Sequence, residues 1–561
     1  MELLQVRDLS FQYPDSGRLA LNRLNFSVNA GEFVILCGAS GCGKSTLLKL
    51  LKKEVAPAGN RQGEILFQGK PAEELSYRES AKYIGYVAQN TEGALVTEKV
   101  YSELAFGLEN FQYDNDHIRM KVSETAISFG IEELFHKKVE ELSGGQRQLV
   151  NLAAVLVTEP LVLLLDEPVS KLDRIAAEEF INTIRKLSET YGITIVMAEH
   201  NLEDIFSLAD RIMVLEDGNL IADEKPEDLS GILKQRNSGT AMMKALPSAV
   251  RLFADRSKAL ECPLNVREAV RYLSRHYNME LLRKLDEDLS GIRKNLRTER
   301  TGNKTKYPVG LQFKNIWFRY EKDGKDILRG AGLTVLKNTL HCLLGGNGSG
   351  KSTLLSVIGG LYKPYRGHME KQNVAYLCQT PQFMFLKETV YEDFLDTGYQ
   401  NGRTKQEIKD LIGKYERRLG LESLYHMHPY DLSGGEIQKA ALMKILLCRA
   451  EIILLDEPTK GMDAGSKDEF GQVLKELLSQ EKTILMVTHD IEFAAEYGDY
   501  CSMIFDGEIF GTSEPTEFFE HNTYFTTYTG RILRKVAGKR ITVSQADELL
   551  DHYEKYKEVG I

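Results

Sequence analysis

At 561 residues the chain is long enough for two α/β domains of about 220 residues each, with further segments between and after them. Its net charge of −10, from 71 Lys and Arg against 81 Asp and Glu, argues against a role resting on bulk attraction to nucleic acid. No apolar run approaches the roughly 18 residues of a membrane span, and the 7 cysteines show no C-x-x-C spacing, which gives no thiolate metal site and suits a reducing compartment.

In chain order, Met1-Glu2-Leu3-Leu4-Gln5-Val6-Arg7 reads as a first strand and not as the apolar core of a signal peptide. Glu32-Phe33-Val34-Ile35-Leu36-Cys37 is a short run of buried-strand type. It ends at Gly38-Ala39-Ser40-Gly41-Cys42-Gly43-Lys44-Ser45, which fits G-x-x-x-x-G-K-[ST]. In that pattern glycines let backbone N–H groups curl around phosphate oxygens, the lysine reaches the terminal phosphates and the hydroxyl ligates Mg2+. Thr46-Leu47-Leu48 then opens a helix whose N-terminus faces the anion. Cys42 stands at a variable position of the loop, where the backbone does the binding, and reads as an inert small residue. Beyond the loop come Gln89, Leu142-Ser143-Gly144-Gly145-Gln146, Leu163-Leu164-Leu165-Asp166-Glu167-Pro168 and Ala198-Glu199-His200.

The middle of the chain reverses the overall charge balance, with 17 Lys and Arg against 8 Asp and Glu in residues 232–308. Leu281, Leu285, Leu289 and Ile292 give it an amphipathic stretch. Such a segment could touch RNA or anionic lipid, but a solvated helix face packed on a domain is the simpler reading.

The series then begins again. Leu340-His341-Cys342-Leu343-Leu344 leads into Gly345-Gly346-Asn347-Gly348-Ser349-Gly350-Lys351-Ser352, and Thr353-Leu354-Leu355 opens the helix. Tyr13 and Tyr320 each precede their loop lysine by 31 residues. Gln89 and Gln379, Ser143 and Ser433, and Asp166 and Asp456 share an offset of 290, while His200 and His489 differ by 289. Repetition in a common register makes the chain a duplicated nucleotide machine.

These duplicated motifs resemble those of ATP-binding-cassette ATPases. Leu142-Ser143-Gly144-Gly145-Gln146 and Leu432-Ser433-Gly434-Gly435-Glu436 are similar to the family signature. The segments ending in Asp166-Glu167-Pro168 and Asp456-Glu457-Pro458 resemble its Walker B strands, and Ala198-Glu199-His200 and Val487-Thr488-His489-Asp490 its switch loops. The resemblance implies an α/β fold: two tandem P-loop NTPase domains, each with a mixed β core, helices and a helical signature subdomain. We expect the first domain over 1–232, a basic and partly helical linker over 233–306, the second domain over 307–530 and a helical tail over 531–561.

The family also implies ATP and Mg2+ as cofactors, with a role for each residue. Tyr13 and Tyr320 would stack on adenine, while Gly38, Ser40, Gly41, Gly43, Lys44 and Thr46, with Gly345, Asn347, Gly348, Gly350, Lys351 and Thr353, would hold phosphate. Ser45, Asp166 and Gln89, and Ser352, Asp456 and Gln379, would serve the metal. Glu167 and Glu457 would polarise the attacking water, and His200 and His489 would contact the γ-phosphate. In this family the signature of one cassette closes over the ATP of the other. Lys44 would thus share a nucleotide with Ser433 and Gly435, and Lys351 with Ser143 and Gly145, through intramolecular pairing of the two cassettes. Val169-Ser170-Lys171-Leu172-Asp173 and Glu436 depart from the commoner family pattern but remove no catalytic group.

Ala88-Gln89-Asn90 followed by Thr97-Glu98-Lys99-Val100-Tyr101-Ser102-Glu103-Leu104-Ala105-Phe106 resembles energy-coupling-factor transporter ATPases, where this segment helps form the groove for a membrane coupling helix. We expect 91–106 and its counterpart 380–394 to line such grooves. The expected partners are integral membrane scaffold and substrate-binding subunits, with no nucleic acid, and the expected place is the cytoplasmic face of the membrane. The cargo expected is a vitamin, vitamin precursor or metal ion. The alternative is a twin-cassette translation factor on the ribosome; Pro247, Pro263 and scattered glycines of the linker interrupt the long helical arm such a factor would use. A DNA-repair ATPase is disfavoured because no long coiled-coil insertion interrupts either cassette.

Overall fold

The computed structural model describes residues 2–14, 17–89, 93–236, 240–257, 261–300, 308–370, 372–523 and 525–558, with backbone only for 240–241 and 290–300. The chain divides into two units, Met1–Pro247 with Ser257–Leu264, and Ser248–Arg256 with Asn265–Ile561.

In the first unit, strands without a polar face build the central sheet. Phe33–Gly38, Val162–Asp166 and Thr194–Ala198 are buried at every position, as strands covered on both faces must be. The sheet runs in the order Asn219–Glu224, Arg211–Glu216, Phe33–Gly38, Thr194–Ala198, Val162–Asp166, Ile84–Val87. All neighbours are parallel except the first pair. The phosphate loop, the acid pair and the switch loop therefore leave three adjacent strands at their carboxyl ends, the edge where open α/β sheets bind ligands. Glu2–Gln12, half buried, pairs antiparallel with Leu21–Asn29 and Asn60–Phe67 in a second sheet. A separate core of Leu104, Leu108, Ile118, Val122, Val150 and Ala153 joins the helices Val100–Asn110, Asn115–Phe129 and Gly144–Leu156 into a helical subdomain.

The second unit repeats this plan. Its six-stranded sheet runs Val374–Leu377, Ile452–Asp456, Thr483–Thr488, Leu340–Leu344, Tyr500–Phe505, Glu508–Ser513, again parallel but for the terminal hairpin. Beside it stand the antiparallel strands Leu328–Leu336, Val309–Phe318 and Arg366–Met369. The α/β architecture with two P-loop cassettes expected from the sequence is thus the one observed.

This unit also carries a helical module. Ser248–Phe253, Val266–His276, Met279–Arg300, Tyr528–Leu533 and Val543–Glu558 share a core built on Leu252, Phe253, Leu273, Leu282, Leu533 and Leu549. Segments 233–306 and 531–561 both contribute to it. Leu281, Leu285 and Leu289 pack against that core, which accounts for the amphipathic stretch; the side chain of Ile292 lies outside the described residues.

Arg540, 2% exposed, ties the last helix of the module to the long one. Its Nε donates to Asp286 Oδ1 at 2.6 Å and its Nη1 to Glu548 Oε2 at 3.2 Å. Breaking a buried pair strands the remaining charge, at a cost of about 3–5 kcal/mol. Arg540→Ala should lower the unfolding free energy of the second unit by that order, seen as a lower denaturant midpoint, and the double change Arg540→Met with Asp286→Leu should recover most of the loss. An unchanged midpoint in Arg540→Ala contradicts this account of the module.

Candidate functional site

Each phosphate loop is shaped by contacts that only glycine tolerates. Gly43 (φ 107°) and Gly350 (φ 98°) stand left-handed at the first turn of Lys44–Leu50 and Lys351–Ile358. A Cβ on Gly38 would lie 2.2 Å from Leu215 O, and one on Gly345 2.6 Å from Ile504 O. Ser40 and Gly41, and Asn347 and Gly348, lie on the intervening turn of each loop. Lys44 Nζ donates to the carbonyls of Gly38 and Ala39, both at 3.0 Å, and Lys351 Nζ to those of Gly345 and Gly346 at 2.9 and 2.8 Å.

The loop serine meets the strand-end aspartate. Ser45 Oγ donates to Asp166 Oδ1 at 2.8 Å, and Ser352 Oγ to Asp456 Oδ1 at 3.1 Å. Oxygen donors of this kind suit Mg2+, which takes one or two protein ligands and completes its shell with phosphate and water. Among the described residues no cluster of three or more His, Cys, Asp or Glu forms a self-sufficient metal site. Burial raises the carboxyl pKa of both aspartates, that of Asp456 to about 6, against the opposing serine bonds.

The glutamates that follow are turned by their backbone. Glu167 (φ 45°) and Glu457 (φ 51°) are both left-handed, and both are buried. His200 Nε2 stands 2.6 Å from Glu167 Oε1, and His489 Nδ1 2.7 Å from Glu457 Oε2. Burial raises the Glu457 pKa, but the neighbouring His489 and Lys351 outweigh it, so the carboxyl sits below its ordinary range. Gln89 Nε2 donates to Glu167 Oε2 at 2.6 Å, whereas Gln379 is exposed and makes no corresponding bond.

Tyr13 and Tyr320 stand beside the loops, each hydroxyl 3.0 Å from Thr46 Oγ1 or Thr353 Oγ1. Edge contacts with Phe11 and Phe318 hold the rings. Ser143 and Ser433 cap the helices Gly144–Leu156 and Gly434–Leu447 in capping boxes with Gln146 and Glu436. Gln and Glu both complete that box, which explains why the substitution at this position is tolerated. Gly145 packs so closely that a Cβ would lie 2.7 Å from Ala176 Cβ, and Gly435 is buried. The signature residues thus stand at a different helix start from the loop lysines, with bonds inside their own caps. Asp173 and Asp463 likewise cap helices, accepting from Ala176 N and Ser466 N.

Two residues that sequence reasoning missed join the site. Tyr86 donates to Asp166 Oδ2 at 3.1 Å and Tyr376 to Asp456 Oδ2 at 3.2 Å, so each aspartate has both oxygens engaged. Their signal was available: both sit three residues before the glutamine, in the same 290-residue register.

The sequence model of the family described as "ABC transporter" matches residues 21–170 and 328–460. A Bacillus cereus protein named as an ABC transporter ATP-binding protein is 37% identical over 95% of each chain. One of the same description from Caldanaerobacter subterraneus is 31% identical over 90% of each. Among solved structures, an archaeal ribosome recycling factor in complex with a ribosomal stalk protein aligns over 91% of both chains with a TM-score of 0.56. An RNase-L inhibitor aligns over 92% of both, also at 0.56. At 22% and 21% identity these two neighbours show the fold alone. With cassettes matched in both halves and relatives aligned along nearly its whole length, the chain belongs to the ABC transporter family as a two-cassette, ATP-binding ATPase.

Proposed function

We propose that the protein is the ATP-hydrolysing motor of an energy-coupling-factor type importer. In this reading it sits peripherally on the cytoplasmic face of the membrane and drives uptake of a vitamin, vitamin precursor or metal ion through separate scaffold and substrate-binding subunits. The single observation that carries the membrane half of this reading is an open cleft of about 520 Å3 beside the helix Val390–Gln400, lined by Leu386, Lys387, Glu388, Glu392, Leu395, Asp396 and Tyr399. It lies at the edge of segment 380–394, and its lining mixes the apolar Leu386, Leu395 and Tyr399 with three acids and one lysine, a net negative, partly apolar surface suited to an amphipathic basic helix. A buried ion pair braces it: Lys444 Nζ, on the signature helix, reaches Asp393 Oδ1 at 2.8 Å, donates to Met384 O and stands over the Phe385 ring. In the first cassette Val96, Tyr101 and Phe106 are exposed over the matching segment; Thr91 lies outside the described residues. Among the described residues no helix is long and apolar enough to cross a membrane, so the membrane path belongs to the partners in this reading.

The chemistry follows from the residues in place. Lys44 and Lys351 hold the terminal phosphates, and Tyr13 and Tyr320 carry the base. Mg2+, held at Ser45 and Asp166 or at Ser352 and Asp456, supplies charge neutralisation on the phosphates when bound. Glu167 and Glu457, each fixed against its histidine, orient and polarise water for attack on the γ-phosphate. Closure of the two cassettes over shared ATP, and reopening after product release, would move the membrane scaffold.

Glu167→Gln and Glu457→Gln keep shape and remove the basic oxygen. Each single change should cut ATP turnover while leaving ATP affinity intact, and the double change should abolish most of it. Full hydrolysis by the double variant contradicts the assignment. For the partner, Glu392→Lys with Asp396→Lys should reduce recovery of membrane subunits in a detergent pull-down with ATP affinity unchanged. Undiminished recovery, or co-purification with ribosomes in place of membranes, would favour the translation-factor reading.

A further inference from the structure

The two sites hold their glutamates differently. At the second, Glu457 Oε2 itself accepts the His489 N–H at 3.2 Å, and the hydroxyl of the residue before the histidine, Thr488, accepts the Asp490 N–H at 2.9 Å. At the first, the residue before the histidine is an acid. Glu199 is 2% exposed; one carboxyl oxygen accepts the Val169 N–H and the other the His200 N–H, both at 3.2 Å. Its own N–H donates to Leu36 O on the strand that leads into the phosphate loop. One residue thus joins the segment after Glu167 and the switch loop through its side chain, and the loop strand through its backbone.

We infer that Glu199 is a positioning residue peculiar to the first nucleotide site, fixing the Glu167 carboxylate and the His200 ring relative to one another by bridging the Val169 and His200 backbones. This rests on the catalytic reading of Glu167 proposed above. The second site has no equivalent bridge: Thr488 is too short to span both amides, and the position matching Val169 is Thr459. The acid of the second switch lies after the histidine instead, where Asp490 pairs with Lys467 at 2.6 Å. The two sites of one chain therefore differ in how turnover depends on the switch loop.

The bridge also has a titration. Burial, with the adjacent Glu167 charge, raises the Glu199 pKa to about 8, opposed by its two backbone bonds and by Lys44. The charged groups facing it are Glu167 at the strand end and Lys44 on the loop helix, with the His200 ring beyond Glu167. Below that pH the carboxyl is neutral; above it, a second negative charge stands beside Glu167 and disfavours the anionic nucleotide. Since kcat/KM reports the free enzyme, it should fall at the first site as pH rises through about 8.

The test uses the full chain with MgATP, reading each site alone: Glu457→Gln leaves the first active and Glu167→Gln the second. In the Glu457→Gln background the alkaline fall in kcat/KM is expected; adding Glu199→Gln should remove it and lower kcat several-fold, because an amide accepts one of the two N–H groups and repels the other. Glu199→Thr, which installs the second site's residue, gives the same reading if the amide packs poorly. In the Glu167→Gln background Glu199→Gln should change neither parameter. An unaltered first-site profile and kcat in Glu199→Gln and Glu199→Thr, or equal effects at both sites, overturns the inference. If neither single glutamine background reduces hydrolysis, the catalytic assignment itself fails, and this inference with it.

Discussion

Two carboxylates in succession at the buried end of a parallel strand are the constraint around which each cassette is organised. Asp166 and Glu167 are 3% and 6% exposed, and Asp456 and Glu457 are 0% and 3%. Neighbouring anions that deep are costly unless each finds its own partners. The fold separates them by placing the glutamate in left-handed backbone, a strain of order 1–3 kcal/mol, so the two side chains engage different neighbours. The aspartate takes the loop serine and a tyrosine; the glutamate takes the histidine that emerges from the adjacent strand. The sheet order that brings three strand ends together is what makes those partners available.

Much of this was legible in the sequence because it depends on local spacing. The phosphate loop, the acid pair and the signature cap are each read within a handful of residues, and duplication in register confirmed them against chance. Glu436 against Gln146 looked like a departure, yet both complete the same capping box. What local spacing could not reveal was long-range packing. Arg540 and Asp286 lie 254 residues apart, and nothing near either position announces that the middle of the chain and its end share one core. The hydroxyls of Tyr86 and Tyr376 were missed for a similar reason, since an isolated tyrosine carries no motif, although the repeat register would have exposed them. The basic excess of 232–308 was a composition signal, and its leucines proved to serve packing.

The duplication is not a copy. Gln89 touches its glutamate whereas Gln379 faces solvent, and Glu199 bridges two backbones where Thr488 does not. Lys444 braces the second cleft from a position that is Ala154 in the first cassette, while Asp393 and Glu103, in register, both accept backbone N–H groups from the segment that precedes their helix. Gene duplication supplies two sites with one chemistry, and substitutions around them separate their coupling to the rest of the molecule. In the proposed importer motor, such differences would let the two halves take different parts of a cycle.

In the proposed motor each ATP is enclosed by the loop of one cassette and the signature of the other. The direct measurement is nucleotide trapping at each phosphate loop of the full chain carrying Gly435→Leu, read by photo-cross-linking with an azido-ATP and mapping of the labelled peptide. The account predicts normal initial binding at both loops, with trapping lost at the loop of Lys44 and retained at that of Lys351. Loss confined to the Lys351 loop would mean that each cassette uses its own signature, and would contradict the shared-nucleotide motor.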